Sequence, residues 1–240
     1  MRVWNRRLPV LASAVGLATL SLSAAPISGT VNISGSVAVG ETFIDFQPPV
    51  GPPNGAFVVS NTGNTGSFAG LSNTTGAILD LNDALEPPGQ AFPTLKGFVT
   101  FAAAPNISLD LTEIDPGTFS SANCFAAPAA GQTCTPAATG NGFASPFDLT
   151  NTSATTSTAA ITVRGNAVNT ATGEISPFIG IFTTQFTVPY QTLLAEVATG
   201  QVATSYSTTF TATTIPEPMT PILLGSGLIA LGALRRFRRR

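Results

Sequence analysis

Between residues 202 and 210 the chain places Val202, Thr204, Tyr206, Thr208 and Phe210 on one parity, with small or polar residues between them. A helix would scatter these five positions around its circumference, whereas an extended strand lines them along one face. The same period of two recurs at Val31, Ile33, Val37 and Val39, at Ala77, Leu79 and Leu81, at Ile107, Leu109 and Leu111, and at Phe178, Phe182, Phe186 and Val188. Each run predicts a half-buried strand. Charged residues are only 9% of the chain, so the Glu, Lys and Arg from which long helices are built are scarce, while Thr, Val, Ile and Phe are plentiful. Only Gln191 to Ala198 has helical spacing, through Leu193, Leu194 and Val197.

Glycine, proline and asparagine punctuate these runs. Loops are predicted at Pro48-Pro49 to Gly55, Asn61 to Gly66, Glu86-Pro87-Pro88-Gly89 and around the two cysteines. The tract Asn151 to Thr158 reads either as an exposed, O-glycosylatable loop or as a polar edge strand. Many short antiparallel strands with such turns predict an all-β domain, an antiparallel β-sandwich or jelly-roll-like body over 26–210.

Both ends have a different character. Residues 1–25 read as a signal peptide: Arg2, Arg6 and Arg7 form a basic region, Leu8 to Leu22 an apolar one, and Ser23-Ala24-Ala25 a small-residue cleavage site. At the other end, a spacer and the Pro216-Glu217-Pro218 motif (211–218) precede an apolar run, Met219 to Leu234, and then Arg235, Arg236, Phe237, Arg238, Arg239 and Arg240. This run predicts a short transmembrane helix within 219–240. At roughly 1.5 Å per residue its length is about 24 Å, against about 30 Å of hydrocarbon. The arginines would hold its end on the cytoplasmic side, and Gly225, Gly227 and Gly232 leave room for another helix to approach.

Motif, spacing, arginine cluster and terminal placement together resemble the sorting tail of PEP-CTERM proteins. That resemblance covers residues 215–240 only. It implies an exported bacterial protein recognised by an exosortase at the inner membrane, cut near Pro216-Glu217-Pro218 and passed to the surface. It also implies an association with exopolysaccharide and biofilm. Read from the residues alone, the tail is either such a processed signal or a retained anchor.

Eight of the ten basic residues lie in the two ends. Between residues 26 and 214 only Lys96 and Arg164 stand against eleven carboxylates, a net charge near −9. Such a body repels nucleic acid. The chain has no histidine, which excludes Ser-His-Asp and Cys-His catalysis and the usual zinc hydrolase sites. A two-carboxylate glycosidase stays formally open. Yet the only tryptophan, Trp4, belongs to the signal peptide, and Tyr190 and Tyr206 are the only tyrosines, so aromatic platforms for sugar stacking are few.

Cys124 and Cys134 in an exported chain predict a disulfide. A zinc pair would be short of ligands without histidine. Two acidic clusters, Asp80 to Glu86 and Asp110 to Asp115, offer oxygen ligands of the kind calcium takes but match no calcium-loop pattern. They read as solvated acids at strand ends.

The expectation is therefore a non-catalytic, exported surface or extracellular-matrix protein, with no catalytic residues, cofactor or metal. Its expected partners are the exosortase, the inner membrane during export, and exopolysaccharide. The alternatives are a carbohydrate- or calcium-binding extracellular module and, behind it, a polysaccharide-acting enzyme.

Overall fold

The computed structural model describes residues 26–51, 54–138 and 142–214, together with Gly225. The signal peptide, the Pro216-Glu217-Pro218 motif and the predicted transmembrane helix lie outside the described residues. Among those described, no helix is long and apolar enough to cross a membrane.

The body is β-rich and antiparallel throughout, as its alternation predicts. Its strands are β1 (Gly29–Val39), β2 (Phe43–Gln47), β3 (Pro49–Gly51), β4 (Asn54–Val59), β5 (Thr75–Leu79), β6 (Leu81–Asn82) and β7 (Leu95–Phe101). They continue with β8 (Ala104–Ile114), β9 (Thr133–Cys134), β10 (Asp148–Asn151), β11 (Ser157–Asn169), β12 (Ile175–Phe186) and β13 (Val202–Ala212). The one α-helix, α1 (Tyr190–Val197), falls where the spacing of Leu193, Leu194 and Val197 places it.

The expected pair of stacked sheets does not form. A single sheet closes on itself, in the order β1-β4-β5-β7-β8-β11-β12-β13 and back to β1. Eight strands make a barrel whose interior side chains can fill, and here they do. Phe46, Phe57, Phe98, Phe101 and Phe210 are fully buried among Val31, Ile33, Leu109, Leu111 and Val163. Period-two alternation reports that one face of each strand is buried and is silent on whether the sheet meets a second sheet or itself. Closure also removes free edges.

Four register pairs set an inward glycine opposite an inward aromatic: Gly35 with Tyr206, Gly76 with Phe57, Gly165 with Phe178 and Gly180 with Phe210. In each case the ring lies across the glycine, where a Cβ would collide with it. Gly165 has a second constraint. It follows a bulge between β8 and β11, and a Cβ there would overlap the Asp110 carbonyl.

Two strands share one of their edges between several partners. β1 pairs with β4 only at Ile33 and Ser34, and with β2 from Ser36 to Val39. Further back the Asn61–Gly66 loop covers the same edge, with Thr65 Oγ1 and Asn64 Oδ1 accepting from the Thr30 and Asn32 amides at 2.9 and 3.0 Å. Likewise β11 pairs with β8 from Val163 onward and with β10 from Ser157 to Ala160. At the end of the molecule holding Val39, Ser157, Phe186 and Val202 the ring therefore opens. There β6, β2, β1, β13, β12, β11, β10 and β9 form a splayed sheet instead of a closed one.

Three local expectations are corrected. Ala77 and Leu79 are half-buried, and β5 turns Ile78 inward between Gly55 and Val99, because both parities are apolar and the register decides. The stretch Pro48 to Gly55, predicted as loop, contains β3 and the start of β4. β13 also runs two residues into the predicted spacer, to Ala212. Asn151 to Thr158 combines both of its readings, since it ends β10, turns, and begins β11.

Candidate functional site

The open end of the barrel surrounds a cleft of about 410 Å³, within the roughly 300–1,000 Å³ typical of small-molecule sites. One wall comes from β2 and β6 through Phe43, Ile44 and Leu81. Helix α1 lines the cleft through Leu193, Leu194 and Val197, and Phe147, Leu149 and Ala159 complete the apolar lining. A smaller pocket of about 40 Å³ shares Val39, Ile44, Phe147, Ala159 and Thr184 with the cleft. It ends on Phe46, Phe182 and Tyr206, the aromatic plug of the barrel.

The disulfide-closed loop lines the cleft as well. Cys124 and Cys134 form the predicted bond, with their Cα atoms 5.2 Å apart. Both are buried, in a second core with Leu149, Ala159, Tyr190, Leu193 and Val202. Beside Cys124, the Phe125 ring lines the cleft yet is 92% exposed.

Helix α1 is pinned by a residue the alternation does not single out. The Asn151 side chain accepts from the Tyr190 amide at 2.9 Å, taking the place of the cap that Pro189 lacks. It donates to Gln191 Oε1 at 3.0 Å and Gln132 Oε1 at 3.3 Å. The Tyr190 hydroxyl in turn donates to the Asn123 carbonyl at 3.1 Å, tying the helix to the disulfide loop. Asparagine at a strand end is common in turns, so nothing in the sequence marks Asn151 as fully buried.

A carboxylate anchors the same loop from below. Asp148 accepts from the Thr135 hydroxyl at 2.7 Å, the Thr118 amide at 2.7 Å and its hydroxyl at 2.9 Å, and the Phe119 amide at 3.3 Å. Burial by itself pushes this carboxyl up, but these hydrogen bonds, the Thr135 hydroxyl foremost, hold it below its ordinary value of 3.8. The stabilised form is the carboxylate. Its contribution is therefore complete above pH 3.8 and is lost as pH falls through the folded-state pKa. In urea unfolding, Asp148→Asn is expected to be less stable than wild type at neutral pH, with the gap shrinking toward about pH 2. An equal gap at both pH values would refute this role.

Three carboxylates, Glu41, Asp83 and Glu86, line the cleft, and neither Lys96 nor Arg164 does. Glu86 is 8% exposed and accepts from the Asn82 amide at 3.1 Å. Burial pushes its carboxyl above the usual range, against the opposing pull of that amide. Its sign is opposite to that of Asp148: stability rises as pH falls through the folded-state pKa.

The acidic clusters mostly serve the backbone. Asp80 accepts from the Phe46 amide at 2.7 Å, and Asp110 from the Gly97 amide at 2.8 Å and the Ser108 hydroxyl at 2.7 Å. Asp115 pairs with Arg164 at 2.9 Å. No group of three or more potential metal ligands occurs among the described residues. No family model matches the chain, and no curated protein or solved structure matches it. The cleft has to be read from its own chemistry.

Proposed function

We propose that this chain is exported, sorted through its PEP-CTERM-like tail, and acts without catalysis as a surface or extracellular-matrix protein associated with exopolysaccharide. The observation that carries the reading is the framing of one disulfide-closed β body by two removable segments: a basic, apolar leader and a Pro-Glu-Pro, apolar, arginine-rich tail. The disulfide suits an oxidising compartment.

The placement of the body's ends suits display. Gly29 and Ala212 are register partners, so the chain enters and leaves the barrel side by side at one pole. Val39 and Val202 pair at the other end of the same ladder, about 33 Å away at the usual strand rise. A tail held at a membrane would leave the cleft on the far side, facing outward.

Mass spectrometry of the protein from parent cells and medium tests the reading. A C-terminus close to Pro216 to Pro218 in the cell-surface or medium fraction is the expected result. Intact Arg240 in the membrane fraction would overturn it.

A further inference from the structure

We propose that the cleft at the open end of the barrel binds a small, largely apolar molecule whose polar end is an uncharged or cationic hydrogen-bond donor, received by Glu86. The site belongs to the folded body, so it stands whichever fate the tail meets.

Four observations carry this. First, the cleft holds about 410 Å³ and is lined by several different elements, β2 and β6, α1, the disulfide loop, β10 and β11, unlike a flat apolar face that a second protein would cover. Second, it arises from the fold itself. The barrel seam parts where β1 and β11 exchange their partners, and the helix and the disulfide loop hold it parted through Asn151 and Tyr190.

Third, Phe125 stands almost fully exposed at its rim, positioned to cover part of an apolar guest. Fourth, the polarity inside is of one sign. Glu86 is a buried acceptor, Glu41 and Asp83 add two carboxylates, and no described lining residue is basic. A buried acceptor is worth most when met by a donor, while an anionic head would enter the cleft with no cation to receive it. Fatty acids and other anionic amphiphiles are therefore disfavoured, and neutral amines, alcohols and ammonium compounds with apolar bodies are favoured.

The test uses a matched pair of probes. N-phenyl-1-naphthylamine is uncharged, apolar and has one N–H donor; 8-anilinonaphthalene-1-sulfonate is the same ring system bearing an anionic group. The full chain is purified and titrated with each by fluorescence. Parallel preparations of the Leu194→Trp and Ala198→Trp chains, which put an indole into the cleft from α1 and from the residue that follows it, provide the background. Partition into detergent or lipid is common to all preparations and cancels.

The expected result is saturable one-to-one binding of the amine, weakened about tenfold or more in either tryptophan variant that keeps the wild-type melting temperature. The sulfonate should bind about tenfold or more weaker than the amine, and Glu86→Gln should narrow that difference. Saturable binding that survives both substitutions, or none in the wild-type chain, would overturn the site. Equal affinity for the two probes would overturn the assignment of its polar end.

Discussion

Phe182→Ala is expected to lower the stability of the folded body by about 3 to 5 kcal/mol, the range for deleting a buried phenylalanine. Phe182 is 5% exposed and sits on the inward face of β12. Its ring centroid lies 5.7 Å from Phe46, 6.4 Å from Phe98, 5.6 Å from Tyr206 and 5.7 Å from Phe210, the last at a near-perpendicular 89°. Offset and edge-on geometries of this kind add to the apolar burial. The truncation removes contacts to four other rings at once, and a void left among close-packed rings forfeits their dispersion contacts. It also removes part of the floor of the smaller pocket, so the cleft would extend into the barrel. Urea or thermal unfolding measures the loss, with Phe182→Leu expected to cost clearly less. A cost for alanine below about 1 kcal/mol would show that the aromatic plug is not the centre of the core.

Replacing both cysteines, Cys124→Ala with Cys134→Ala, is expected to cost about 2 to 3 kcal/mol, from the entropy of opening a loop of ten residues in the unfolded chain. The effect should also be local. The bond joins the turn after Ser121–Asn123 to β9, and β9 pairs as a strand with β10 alone. The long β1–β13 and β11–β12 ladders do not depend on it. Amide hydrogen exchange should therefore show residues 119–135 losing protection while β11, β12 and β13 keep theirs. Uniform loss along the ladders would mean that the loop and the barrel unfold as one unit.

The local structure was largely legible. A strict alternation such as Val202 to Phe210 admits only one reading, because the inward side of β13 is Val202, Thr204, Tyr206, Thr208 and Phe210, buried or half-buried, and its outward side is Ala203, Ser205, Ser207 and Thr209, all exposed. The helix was legible for the same reason, its apolar residues falling at helical spacing. Only Leu193 of the three is buried, however, since Leu194 and Val197 face the cleft half-exposed. Where both parities are apolar, as at Ala77, Ile78 and Leu79, the pattern carries no sign and the inward face was misread.

The disulfide was legible as well, from the chain's two cysteines and the export its first 25 residues predict. What it builds was not. Glu86, Cys124 with Phe125, and Asn151 come from three separate segments and share no motif, and their meeting depends on where β8 leaves β11 and β10 takes its place. Glu86 reads as one acid among several on a surface, and only its burial beside Leu81 and Ile44 makes it a distinct acceptor.

The sequence by itself determined that this body is antiparallel β, acidic, free of histidine and joined by one disulfide. These are properties of single residues and of their spacing, which act over a few positions of the chain. Only the tertiary structure decided that the sheet closes into an aromatic-filled barrel, that its seam opens at the pole opposite Gly29 and Ala212, and that an apolar cleft with one buried carboxyl lies there. Closure and opening are set by hydrogen bonds between strands far apart in the chain, and a period of two is the same whether the face it buries meets another sheet, its own sheet or a guest.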